Sequence, residues 1–317
     1  MLLALLLMAS VADWVPMRWT SADPNSLELL KGTPINCLLL ERESWSRKFN
    51  EAAAGKEIAT LGVVRSGSDL EEIPAKAGDL KLTGIVLEGD FVLADAERIR
   101  RALSDSKLVL IELPSRVRMR FDTSGPVVGT YQGIWPGIHA DEDSTKAAPS
   151  GAPWIDTNSG FLRFVRAMTG SPIWIGHTPP TKTVITSEHY SQAICDAAMV
   201  GARWILALDE NLSKRLHAGE AEALKDWKII TQQLAHFESH KEWRAMQPVG
   251  QLALVQDVDS GALFSGGILD MIAVKHTPVL PVPKAKLSRN SCTTDSRGAA
   301  NSAECFFDLM PRRTACA

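Results

Sequence analysis

Several carboxylates and one histidine stand directly behind short apolar runs, where a buried strand opens onto a site. Glu41 follows INCLLL, Glu88 and Asp90 follow LTGIVL, and Glu112 follows LVLI. Asp209 and Glu210 follow RWILAL, and His177 follows PIWIG. Arg18 and Trp19 close WVPMRW, Gln132 closes the run 126–132, and Trp135 comes three residues later. Carboxyls gathered among indoles are the chemistry of a sugar site. One carboxyl with a raised pKa protonates the leaving oxygen, and a second, ionised, attacks or activates water. On that reading Glu88, Glu112, Asp209, Glu210 and His177 are the catalytic candidates. Trp19, Glu41, Asp90, Gln132, Trp135 and Trp154 are the substrate-binding ones, with Trp135 and Trp154 as flat faces for a pyranose ring. Nine Trp against two Tyr fits this.

Each candidate has a plainer role. Glu88 lies in VLEGD, where Gly89 allows a close approach by ligand or backbone, and it is equally an ion-pair partner. Glu112 is expected to pair with Arg116 or Arg118. Asp209 or Glu210 is expected to cap the helix that begins near Asn211 and Ser213. His177 is a general base, a ligand contact or a satisfied rim histidine. His139, Asp141, Glu142 and Asp143 make an acidic loop that reads as solvated rather than as a cation site. Trp174 and Trp204 sit inside apolar runs and read as packing residues. Neither a cofactor nor a metal is expected.

These residues need elements to hold them. Apolar runs at 14–19, 35–41, 58–64, 82–87, 108–112, 126–132, 172–177 and 203–208 read as eight strands. Helical patterns lie between most of them, the clearest over 95–103 and after an N-cap at Ser187, the latter closed by Gly201 in a left-handed cap. Near-continuous apolar strands belong to a sheet covered on both faces, so the expected fold is α/β, a (β/α)8 TIM-type barrel. No glycine-rich phosphate turn follows an early strand, which weighs against an open doubly wound sheet. In a barrel, polar residues at the C-terminal strand ends converge on one pocket. The connection 134–159 is long and rich in Pro, Gly and Asp, and it lies on that same face.

A long amphipathic helix over 220–243 closes the barrel, which spans 13–247. Residues 248–283 then read as the truncated start of a second α/β domain: a strand at 251–256, a helix at 266–274 and a strand at 277–282. Residues 284–317 have few aliphatics and no periodicity, and read as a disordered or aberrant tail. Residues 1–12, MLLALLLMASVA, read as a signal peptide, which implies a secreted or periplasmic protein; a buried first strand is the alternative. No stretch is expected to span a membrane. The net charge of -3, from 34 basic and 37 acidic residues, argues against a general nucleic-acid role. The cluster Arg116, Arg118 and Arg120 is expected on a solvated face. Cys37 and Cys195 read as inert core thiols.

The stretch FLRFVRAMTGSPIWIGHTPP, with AICDAAMVGARWILALD after it, resembles the late barrel of beta-galactosidase-type enzymes in the large (β/α)8 glycosidase clan. QLALVQDVDSGALFSGGILDMIAVKHTPVLPVP resembles the start of the trimerisation domain, built like a glutamine amidotransferase, that follows the barrel there. The resemblance covers 122–283. It implies a glycoside hydrolase acting on oligosaccharide, and a homo-oligomer formed through that domain where it is complete. The clan's acid/base glutamate falls on Glu88, with Leu87 where an Asn is usual. Its nucleophile glutamate falls on His177. Either the strand count is shifted, or the second carboxylate is Glu112, Asp209 or Glu210, or the barrel no longer cleaves glycosides. The competing reading is a catalytically silent barrel that binds carbohydrate or serves as a scaffold. A metal-dependent hydrolase using His139 and His177 lacks supporting ligand spacing.

Overall fold

A computed structural model describes residues 10–67, 70–104, 106–121, 125–136, 138–140, 145–147, 157–246, 249–250, 252–256, 272, 277 and 279–283. Five strands form one parallel sheet in chain order: β1 (Pro16–Trp19), β2 (Cys37–Leu40), β3 (Ala59–Arg65), β4 (Gly84–Glu88) and β5 (Val109–Leu113). Two short antiparallel strands, β7 (Ile138–Ala140) and β8 (Thr145–Ala147), lie inside the long connection. Three more parallel strands, β6 (Val128–Thr130), β9 (Ile173–Ile175) and β10 (Ala202–Trp204), continue around the molecule.

Two seams join the five strands to the three. Arg18 N donates to Leu206 O at 2.7 Å, and Leu206 N donates to Pro16 O at 3.1 Å, which ties β10 back to β1. On the other side Thr130 Oγ1 donates to Pro114 O at 2.7 Å. Gly129 there lets β6 close against its neighbours: a Cβ would lie 2.6 Å from Leu113 Cδ2 and 2.7 Å from Trp174 O. The eight strands thus make a (β/α)8 barrel. β6 is shorter than the predicted run, and β10 ends at Trp204, although Leu206 still pairs across the seam.

Strand alternation sorts the side chains into two cores. Cys37, Leu39, Leu61, Val63, Val86, Ile111, Leu113, Trp174 and Ile205 fill the barrel, whereas Leu38, Leu40, Val64, Ile85, Leu87 and Trp204 face the helices. The covering helices are a 3-10 helix over Pro24–Leu30, then α1 (Arg47–Ala54), α2 (Ile73–Asp79), α3 (Leu93–Leu103), α4 (Ser159–Met168) and α5 (Ser187–Ala198). α6 (Glu210–His217) and α7 (Ala221–Ser239) complete the layer. Apolar residues at helical spacing explain the packing: Ala96, Ile99 and Leu103 of α3 and Tyr190, Ala193, Ile194 and Ala197 of α5 are buried. α5 begins one residue earlier than predicted, with Thr186 at the N-cap, and Gly201 takes the left-handed φ of 77° expected of it. After β5 the described residues before β6 hold the single turn Arg116–Arg118.

The predicted leader overlaps the barrel floor. Val11 packs against the interior core, and Arg203 Nη1 donates to Ala12 O at 2.5 Å. Beyond the barrel, β11 (Leu252–Gln256) and β12 (Val279–Pro283) pair in parallel, and β12 packs on α4. The helix predicted over 266–274 and the tail 284–317 lie outside the described residues, apart from Ile272.

Candidate active site at the barrel mouth

The interior-facing series of four strands each end in a charge. On β2 Cys37 and Leu39 lead to Glu41, on β3 Leu61 and Val63 lead to Arg65, and on β4 Val86 leads to Glu88. Arg18 takes the corresponding place on β1, between outward-facing Met17 and Trp19. Together they form one network. Arg18 Nη2 donates to Glu88 Oε2, and Arg18 Nη1 donates to Glu41 Oε1 at 3.3 Å. Arg65 Nη1 donates to Glu41 Oε2, while Arg65 Nη2 reaches both Glu41 Oε1 at 2.8 Å and Glu88 Oε1 at 3.2 Å.

Burial is uneven across the four. The side chains of Arg18 and Glu88 are 9% and 8% exposed, Glu41 is 30% and Arg65 is 52%. A buried carboxylate of this kind is tolerated because it is paired and hydrogen-bonded at both oxygens. The Glu41 hydrogen bond holds the Arg65 guanidinium above its ordinary pKa, against the opposing effect of burial. Arg18 Nε is buried with no partner among the described residues. Because the two glutamates accept from one nitrogen, their Oε1 atoms lie within about 6 Å of each other.

The other candidates do not join this network. Glu112 alternates with inward Ile111 and Leu113, so it faces outward and pairs with Arg100 of α3 at 2.5 Å, not with Arg116 or Arg118. Asp209 is 2% exposed and caps α6, accepting from Asn211 N and Leu212 N at 3.0 Å each. It also accepts from Tyr190 OH at 2.9 Å, while its own N–H donates to that hydroxyl at 2.7 Å. Burial, then the Asp209 charge, raises the Tyr190 pKa far above its ordinary value. Glu210 is exposed and pairs with Lys214 one turn on at 2.5 Å, which lowers its pKa. Asp90 accepts from Ser115 N at 2.9 Å and Ser115 Oγ at 2.8 Å, binding the loop after β4 to the loop after β5.

His177 is exposed at the end of β9, and its Nδ1 lies 2.6 Å from Gly133 O. The carbonyl can only accept, so Nδ1 donates, leaving Nε2 as an acceptor in the neutral ring. Trp135 is not the open indole face expected of it. It is 4% exposed, meets Tyr190 and Trp204 edge-on, and donates from Nε1 to His177 O at 3.2 Å. Trp19 is likewise buried in the helix layer, donating to Ser26 Oγ at 3.2 Å. Trp174 and Trp204 are packing residues, inside and outside the barrel respectively. Trp154, the acids 141–143 and the His139 side chain lie outside the described residues.

Gln132 belongs to a different assembly. Arg116 N donates to Gln132 Oε1 at 2.9 Å, and Arg116 Nε donates to Gln132 O at 2.6 Å. The same guanidinium donates to Asn158 Oδ1 at 3.1 Å and lies 4.3 Å from the Phe161 ring centre. Arg116 is therefore buried, not solvated as expected, its guanidinium held by hydrogen bonds to Gln132 and Asn158 and by the Phe161 ring. Asn158 bonds both the N–H and the carbonyl of Ile134, at 2.8 and 2.9 Å, joining the two ends of the long connection.

Arg65 is the mouth residue that sequence reasoning missed. The signal was available: it is the first charge after ATLGVV and has the parity of Leu61 and Val63.

No protein-family model matches this chain, and no curated protein sequence does. Among solved structures, tryptophan synthase from M. tuberculosis is similar at 11% identity, over 71% of this chain and 93% of that one, with a TM-score of 0.46. A tryptophan synthase alpha-subunit mutant from the hyperthermophile Pyrococcus furiosus is similar at 13% identity, over 71% and 98%, with a TM-score of 0.41. The glycoside hydrolase domain of PelA from Pseudomonas aeruginosa is similar at 15% identity, over 61% and 94%, with a TM-score of 0.36.

Proposed function

We propose that this barrel is glycoside-hydrolase-like and acts on oligosaccharide through Glu88 and Glu41 at its mouth. One observation carries the reading: both carboxylates accept from Arg65 Nη2, at 2.8 and 3.2 Å. That shared donor keeps their Oε1 atoms within about 6 Å, which admits the 5–5.5 Å of paired carboxyls in retaining glycosidases. Glu88, nearly buried with guanidiniums on both oxygens, suits the ionised partner that attacks or stabilises the anomeric carbon. That reverses the proton-donor role expected from the sequence, since a donor needs an oxygen free of cationic groups. Glu41 is the more exposed of the two, and substrate entering over half-exposed Arg65 would release it to act as acid and base. His177, with Nε2 free to accept, stands on the same face and suits a contact to a sugar hydroxyl.

A second reading has its own support. All four oxygens of the pair accept from guanidiniums, the arrangement of a barrel that binds saccharide or serves as a scaffold without cleaving it. Chromogenic aryl glycosides separate the two. Hydrolysis by wild type that both Glu88→Gln and Glu41→Gln abolish supports the first reading. Saccharide binding without hydrolysis supports the second, and activity unchanged in Glu88→Gln would remove the pair from the chemistry.

A further inference from the structure

We infer that the outer wall of the barrel carries a second binding site, for a single-chain amphiphile with an anionic head. The connection after β5 supplies one 3-10 turn, Arg116–Arg118, where every other connection lays a helix against the sheet. Among the described residues this leaves a cleft of about 840 Å³ between α3 and residues 117–120 and 125–129. That is within the range of sites that hold drug-sized ligands.

Its lining fixes the chemistry of the occupant. Leu93 and Ala96 of α3, Leu110 of β5, Val117 and Met119 give the cleft one apolar wall, and charged side chains line much of the rest. Leu93 and Val117 are 57% and 44% exposed, so apolar surface faces solvent there. Covering it with hydrocarbon is favourable in proportion to the area removed from water. The other charges in the wall are engaged: Glu112 with Arg100 through two donors, Asp90 with the Ser115 N–H and hydroxyl, and Arg120 in contacts of its own. Arg118 differs. It lines the cleft, is exposed, and its guanidinium has no hydrogen bond or ion pair among the described residues. An apolar wall with one uncommitted guanidinium fits a hydrocarbon chain ending in a carboxylate or similar anion. The cleft lies behind β5, on the opposite side of the sheet from Glu88, so this site is separate from the mouth.

Calorimetric titration of the full chain with dodecanoate, below its micelle concentration, tests the inference. Saturable binding of about one equivalent is expected, with dodecanol and dodecyltrimethylammonium about tenfold weaker or worse. Arg118→Gln, a surface change, should weaken dodecanoate about tenfold and leave dodecanol unchanged. Val117→Trp, checked for its fold by circular dichroism, should fill the cleft and abolish binding of both. Glu88→Gln should bind as wild type. Absence of saturable binding, equal affinity for the three head groups, or binding unaffected by Val117→Trp would overturn the proposal. Loss in a Glu88→Gln protein whose circular dichroism and melting match a folded chain would also overturn it, by placing the amphiphile in the mouth.

Discussion

Arg18 and Glu88 stand 70 residues apart in the chain and meet across the barrel mouth, each more than nine-tenths buried. The pair links the first strand to the fourth through charge alone, since β1 and β4 are not neighbours in the sheet. Its stability consequence follows from desolvation. Arg18→Met leaves Glu88 buried with only Arg65 for company, and should cost about 3 kcal/mol in urea unfolding. Arg18→Met combined with Glu88→Met should recover most of that loss, because no uncompensated charge remains. A double variant as unstable as the sum of the singles would show that the two residues do not act as a pair.

Asp209 holds α6 and Tyr190 at once. Asp209→Ala removes a helix cap and leaves a buried hydroxyl short of an acceptor, for an expected loss of about 2–3 kcal/mol. Thermal unfolding of Asp209→Ala beside Glu210→Ala is the check, and Glu210→Ala should stay within about 0.5 kcal/mol of wild type.

Tyr190 also gives the fold an alkaline limit. Its folded pKa is raised above the unfolded value of 10.0, so its contribution is complete below that pH. As pH rises past about 10 the unfolded chain loses the proton while the native one keeps it, and stability falls. Unfolding free energy measured from pH 8 to 11.5 should decline more steeply for wild type than for Tyr190→Phe. Parallel curves would exclude Tyr190 as the titrating group.

Between β5 and β6 the barrel closes on a glycine. At Gly129 an added Cβ would press on both Leu113 and the Trp174 carbonyl. Gly129→Ala should therefore destabilise by about 1–3 kcal/mol through overpacking, whereas Gly170→Ala, with open space around it, should be near neutral. Chemical denaturation of the two variants decides this.

Arg116 anchors the ends of the long connection through Gln132 and Asn158. Arg116→Lys keeps the charge but cannot reproduce the fork, and should cost about 2–4 kcal/mol. If instead it unfolds like wild type, the hub is not what secures Ile134 and Asn158.

Chain order and alternation were enough to reveal the barrel. Runs such as INCLLL and LTGIVL are apolar on both faces, and only a doubly covered strand wants that. They were also enough to place Glu41 and Glu88 at strand ends, because the charge that follows such a run must lie where the strand meets water. They could have placed Arg65 the same way. They could not tell that Glu112 faces outward, since one residue of register moves a side chain to the other side of the sheet. Nor could they tell that Trp135 is buried: burial of an indole in a connection depends on which helix and strand the closed ring brings beside it, here α5 and β10. Sequence sets which residues end each strand, a local property of hydrophobic period. Tertiary structure alone decides which of those ends touch, because partners such as Arg18 and Glu88 become neighbours only when the ring shuts.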